Sequence, residues 1–233
     1  MKARQRFSRR WAVGAGVVLG AAGFVGWATG WLRRQRTVQG SPLKMLSLNI
    51  KPRASWGAAQ PNHASRVEFG FYDAVTNRGG WRIYDQPLDQ ILRTVVVHHS
   101  ALPLSDGPRE IQIHHLKGKG YADIGYHFVI DAAGEMFEGR PLNVRGAHAG
   151  GFNTGCVGIC LLGNFEESAP TAAQLTALEV LASALKRQFG ITHLAGHRDF
   201  QPTATVCPGA GLEPLLPNLA TTLGLQFGTG GYK

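Results

Sequence analysis

The 233-residue chain is poor in cysteine, with three in all, which is too few for a disulfide scaffold. Cys156 and Cys160 fall four residues apart in one apolar run. If that run is a strand they stand about 13 Å apart, beyond disulfide reach. Both read as buried small hydrophobes, and Cys207 is left with different surroundings. A basic surface is also missing. The formal net charge of +9 is concentrated in residues 1–36, which hold eight Lys/Arg and no acid. The rest of the chain carries 16 Lys/Arg against 15 Asp/Glu, so the body is near neutral. That distribution excludes a phosphate-tracking face and, with it, nucleic acid as a partner.

The basic segment has its own logic. Lys2, Arg4, Arg6, Arg9 and Arg10 precede residues 11–32, which are uncharged, and Arg33, Arg34 and Arg36 follow. Twenty-two residues can cross a bilayer core as a helix. Ser8-Arg9-Arg10-Trp11 resembles a twin-arginine export signal, although the residues after it match that pattern poorly. Ala28-Thr29-Gly30 is a weak cleavage site, and basic flanks on both sides favour an uncleaved anchor over a removed signal. Either way the domain is expected outside the cytoplasm, in the cell envelope, at the extracytoplasmic face of the inner membrane or in the periplasm. The denser N-terminal charge favours a cytoplasmic N-terminus.

The body is organised around residues 93–100, RTVVVHHS. Three valines in a row predict a central strand covered on both faces, and it hands over directly to His98 and His99. Rigid strand ends are where an α/β protein places chemistry. Further strands are expected over 124–130, 135–138, 157–162 and 191–195. Helices are expected over 108–118, 171–189 and 211–222. The 171–189 helix is the clearest. Thr171 and Gln174 make a capping box, leucines recur at helical spacing, and Gly190 stops it. This order predicts an α/β fold, a central mixed β-sheet flanked by helices, preceded by the N-terminal hydrophobic helix. The expected divisions are 1–36 anchor or signal, 37–52 linker, 53–225 catalytic domain and 226–233 flexible tail. Residues 66–92, aromatic and Gly-rich, suit a hairpin or a long surface loop.

Four polar groups stand near expected strand ends: His98 or His99, Tyr126, His197 and Cys207. Two imidazoles and a thiolate are a good zinc set, with a fourth position open for water. Adjacent strand residues face opposite ways, so one of His98 and His99 is the ligand, and periodicity does not say which. His115, His127, His148 and His193 read as structural or substrate-lining. A nucleophilic Cys207–His pair is the competing chemistry.

A resemblance narrows these choices. Arg53-Ala54-Ser55-Trp56-Gly57-Ala58, VVVHHSA at 95–101, DIGYHFVI at 123–130, EGR at 138–140, GAHAGGFNTGCVGICLLGNF at 146–165 and GHRDFQPTATVCPG at 196–209 run in order through the chain. Together they resemble the zinc amidase family of N-acetylmuramoyl-L-alanine amidases and peptidoglycan recognition proteins. The resemblance implies that His98, His197 and Cys207 hold Zn2+. It implies that Tyr126 faces the reacting water and that Thr205 assists catalysis. His115, His148 and Asn153 fall in motifs that line the substrate groove. The substrate implied is the amide between N-acetylmuramic acid and L-alanine in peptidoglycan or muropeptides, cut by a monomer. His115 or Tyr126 would supply the proton to the leaving amine. Members that only recognise peptidoglycan usually lack the cysteine. A membrane-tethered peptidoglycan-binding module without turnover is the alternative.

Overall fold

The computed structural model describes residues 47–65, 67–68, 82–230 and 232. The hydrophobic run at 11–32 and, of the 66–92 segment, residues 66 and 69–81 lie outside them. Among the described residues no helix is long and apolar enough to cross a membrane.

Seven strands form one mixed sheet: β1 (Ile50–Lys51), β2 (Thr94–His99), β3 (Phe128–Ile130), β4 (Met136–Glu138), β5 (Cys156–Leu161), β6 (His193–Gly196) and β7 (Gln226–Phe227). Their order is β1-β4-β3-β5-β2-β6-β7. Every pairing is parallel except β3 with β4, the hairpin closed by the Asp131–Gly134 turn. The helices are α1 (Leu88–Ile91), α2 (Pro108–Ile113), α3 (Ala172–Phe189), α4 (His197–Phe200) and α5 (Leu216–Leu223). The mixed sheet with flanking helices is therefore as the sequence predicts.

Strand β2 is the spine. All six of its residues are buried, between β5 on one side and β6 on the other. Alternation sorts its side chains onto two faces. Val95 and Val97 join Leu178, Leu181 and Leu185 of α3 in the main core. Val96 packs on the opposite face with Cys156, Ala195 and Phe200, and His98 shares that face. The capping box at the start of α3 forms as read. Gln174 N donates to Thr171 Oγ1 at 3.1 Å, and Thr171 N donates to Gln174 Oε1 at 3.0 Å. Gly190 ends the helix in the left-handed region, at φ 66°.

Several boundaries differ from the sequence reading. The strand expected over 124–130 survives only as Phe128–Ile130. Its first half is held by other partners: Ile124 N donates to Asp123 Oδ1, Gly125 N to His115 Nδ1, and Arg140 Nε to Ile124 O. The helix expected over 108–118 changes at His114 into a π turn, His114–Gly118. Order begins before residue 53, because Ile50 and Lys51 pair with β4. At the other end Gln226 and Phe227 pair with β6, and the Tyr232 hydroxyl donates to Gly151 O at 3.2 Å.

A buried ionic network fixes the connection around residue 125. Arg140, wholly buried, pairs with Glu68 at 2.8 Å and also donates to the carbonyls of Ile124 and Arg145. Arg53 pairs with buried Asp123 at 2.9 Å. Removing one partner of such a pair strands a charge where water cannot reach it. Glu68→Ala should therefore destabilise the fold by about 3–5 kcal/mol. Glu135→Ala, which breaks the exposed pair with Lys51, should change it by less than about 1 kcal/mol. Urea unfolding of the two variants checks the contrast.

Candidate metal centre

Strand register builds the site. Val97 pairs with Gly196, so His98 at the end of β2 stands beside His197, the first residue of α4. The loop after α4 then folds back. Arg198 N donates to Cys207 O at 2.8 Å, and Cys207 N donates to Thr205 Oγ1 at 3.1 Å. Gly196 permits this approach, since a Cβ there would lie 2.9 Å from Pro208 Cδ. The result is a cluster of His98, His197 and Cys207 with one donor atom from each within 4.8 Å of the others. His98 Nδ1 lies 3.5 Å from Cys207 Sγ, and the two histidine rings are 4.6 Å apart between centroids. Donors sharing one tetrahedral zinc stand about 3.4–3.6 Å apart, so the arrangement fits such an ion with small adjustment.

His99 goes the other way. Its Nδ1 accepts from Phe165 N at 3.1 Å on the face away from the cluster. Of the two histidines that the residue pattern left open, His98 is the one that joins the cluster.

Burial sets the charge state of the unliganded groups. It holds His98 well below the usual imidazole range, with His197 and His148 adding to the effect, and it lowers His197 as well. It pushes the Cys207 thiol up to about 12. Both imidazoles thus keep a lone pair at neutral pH. A divalent cation reverses the preference of a thiol and takes it as thiolate.

Around the cluster, Tyr126 is partly buried with its ring 4.9 Å from His98 and 5.3 Å from His115. Burial, then the neighbouring Cys160 and Cys207, raise its hydroxyl well above the usual phenol range, so it remains an O–H donor. The His115 ring accepts from Gly125 N at 2.9 Å, and burial lowers its pKa to about 3. A neutral ring of that kind is a hydrogen-bond donor and holds no acidic proton near neutral pH. His148 and Asn153 face inward. His148 Nδ1 lies 3.0 Å from His98 Nε2, and Asn153 Oδ1 accepts from His148 N and Ala149 N at 2.8 and 2.9 Å. Gly158 makes room for His148, because a Cβ there would meet the ring at 2.5 Å. Sequence reasoning missed two residues here. Cys160, taken as a plain small hydrophobe, is paired in register with His98 and lies against the Tyr126 hydroxyl. Gln201 Oε1 faces His197 Nε2 at 2.9 Å, and only the i, i+4 spacing from His197 could have signalled it. A cleft of about 600 Å³ has Ala101, Leu104, Asn164 and Glu167 among its walls and none of the three candidate ligands.

Fold and cluster define a class: mixed α/β proteins with a His2Cys donor set assembled at the end of the central strand. Comparison with known proteins narrows it. A family described as N-acetylmuramoyl-L-alanine amidase matches residues 88–210, and the chain belongs to this family. It is 37% identical over 135 residues to peptidoglycan-recognition protein SC2 of Drosophila simulans, covering 54% of this chain and 72% of that protein. Its structure is similar to that of Drosophila peptidoglycan recognition protein SD, with a TM-score of 0.59, 31% identity and coverage of 72% and 93%. It is also similar to the N-acetylmuramoyl-L-alanine amidase LysC of Clostridium intestinale, with a TM-score of 0.54, 33% identity and coverage of 63% and 93%.

The buried histidines give the fold an acid limit. His127 donates through Nε2 to Val144 O and accepts at Nδ1 from Gly158 N, both at 3.0 Å, and burial lowers its pKa from 6.5 to about 4. The native state thus favours the neutral ring, while the unfolded chain takes a proton below pH 6.5. The stabilisation is complete above that pH and is lost as pH falls through about 4, an effect on the order of 3 kcal/mol. Urea midpoints of the metal-free protein should fall between pH 7 and 4.5, and His127→Gln should flatten that slope.

Proposed function

We propose that the protein hydrolyses the amide between N-acetylmuramic acid and L-alanine in peptidoglycan or muropeptides, with Zn2+ held by His98, His197 and Cys207. The observation that carries this reading is the third donor. Cys207 Sγ stands 3.5 Å from His98 Nδ1, and binding without turnover has no need of a thiol there. Zinc in a set with one thiolate keeps a net positive charge, polarises a carbonyl and lowers the pKa of water.

The chain's own residues supply the rest. The Tyr126 O–H, kept protonated by burial and carried on a ring 4.9 Å from His98, would donate to the developing oxyanion or hold the attacking water. Thr205 accepts from Cys207 N, which ties its hydroxyl to the ligand loop. His98 and His197, neutral before the metal arrives, need lose no proton to bind it. The uncharged run at 11–32 would tether the domain to the membrane, so that a monomer works on the wall from the extracytoplasmic side.

A second reading is binding without cleavage. It draws on relatives named as recognition proteins, among them three structures solved with tracheal cytotoxin.

Digestion of purified peptidoglycan and muropeptides, with products read by mass, separates the two. The hydrolase releases stem peptides with a free L-alanine amino terminus, and a chelator abolishes the release. Tyr126→Phe should lower kcat by about 10²–10³-fold while zinc stays bound, the usual loss on removing one oxyanion donor. Unchanged masses alongside retained muropeptide binding would establish the receptor instead.

A further inference from the structure

An imidazole presents a lone pair from one nitrogen at a time, so each histidine ligand must be held in the correct tautomer. Gln201 settles this for His197. Its Nε2 donates to Gly150 O at 3.1 Å. A backbone carbonyl only accepts, so the amide nitrogen is fixed on that side and Oε1 is turned to His197 Nε2 at 2.9 Å. Oε1 also only accepts. The proton of His197 is thereby placed on Nε2, and its lone pair on Nδ1.

The same loop reaches the other imidazole. His98 has Nδ1 toward Cys207 Sγ at 3.5 Å and Nε2 toward His148 Nδ1 at 3.0 Å. With Nδ1 kept as the ligand, Nε2–H donates to His148. His148 and Gly150 both belong to the turn closed by Asn153 Oδ1, which accepts from His148 N and Ala149 N. One short loop, residues 146–153, therefore bears on both imidazoles, directly on His98 and through Gln201 on His197.

We propose that Gln201 is a positioning residue for the metal centre: it fixes His197 with Nδ1 toward the ion and couples it to the loop that orients His98. This rests on the metal-binding reading above. Partners of this kind on a ligating histidine typically contribute about 10- to 100-fold in metal affinity.

Two measurements on the full chain test it. Zinc affinity is read by competition with a chromophoric chelator, and the His197 tautomer by long-range 1H–15N correlation in the metal-free protein. Wild type should show the Nε2–H tautomer. Gln201→Ala should mix the tautomers and bind zinc about 10- to 100-fold more weakly. Gln201→Glu keeps an acceptor for His197 while giving up the donor to Gly150, and should recover most of the loss. Its recovery also separates positioning from a general weakening of the fold, which thermal unfolding of both metal-free variants monitors. Zinc affinity of Gln201→Ala within about twofold of wild type, with an unchanged tautomer, would overturn the proposal and leave the metal reading standing. A wild type that takes up no zinc would overturn both.

Discussion

Everything at the site depends on holding two imidazoles and a thiol within 4.8 Å of each other, from residues as much as 109 positions apart. Chain entropy opposes such a gathering, and the sheet overcomes it. β2 and β6 are locked in parallel register, so the positions of His98 and His197 follow from ladder hydrogen bonds. Only Cys207 arrives on a loop. That loop is tied down by hydrogen bonds at Arg198 and Thr205 and is admitted by the absence of a side chain at Gly196.

The same face of the sheet carries an unusual polar load. His98, His127 and His148 are buried within a few ångströms of one another, and Arg140, Glu68 and Asp123 are buried nearby. Such groups are costly to bury without hydrogen bonds. Here the bonds run in chains: His127 to Val144 and Gly158, His148 to His98, and Arg140 to Glu68 and the carbonyls around residue 125. The chains make the surroundings stiff, and stiffness is what a metal centre needs from its support. Burial, working against those bonds, keeps the imidazoles neutral. The competing chemistry, attack by Cys207, fits this environment poorly, because burial pushes the thiol up to about 12 and no charged histidine stands by to activate it.

Much of this was legible in the residues, for identifiable reasons. Val95-Val96-Val97 has one good interpretation, a strand buried on both faces, and it is the central strand. Thr171, Gln174 and Gly190 bracket α3 because capping is local chemistry. Alternation allowed only one of His98 and His99 into a site. What escaped was fixed from a distance. β3 is short because Asp123, His115 and Arg140 take the backbone groups that a ladder would have used. Gln201 looks like any polar loop residue until the fold sets Gly150 and His197 on either side of it. Cys160 reads as a core residue and is one, yet register places it across from His98 and under the Tyr126 hydroxyl.

The central claim is the donor set, and zinc K-edge X-ray absorption on the loaded protein tests it most directly. The account predicts one sulfur at about 2.3 Å and two imidazole nitrogens at about 2.0–2.1 Å, with a light atom completing the shell. A shell of oxygen and nitrogen alone, with no sulfur scatterer, would contradict it.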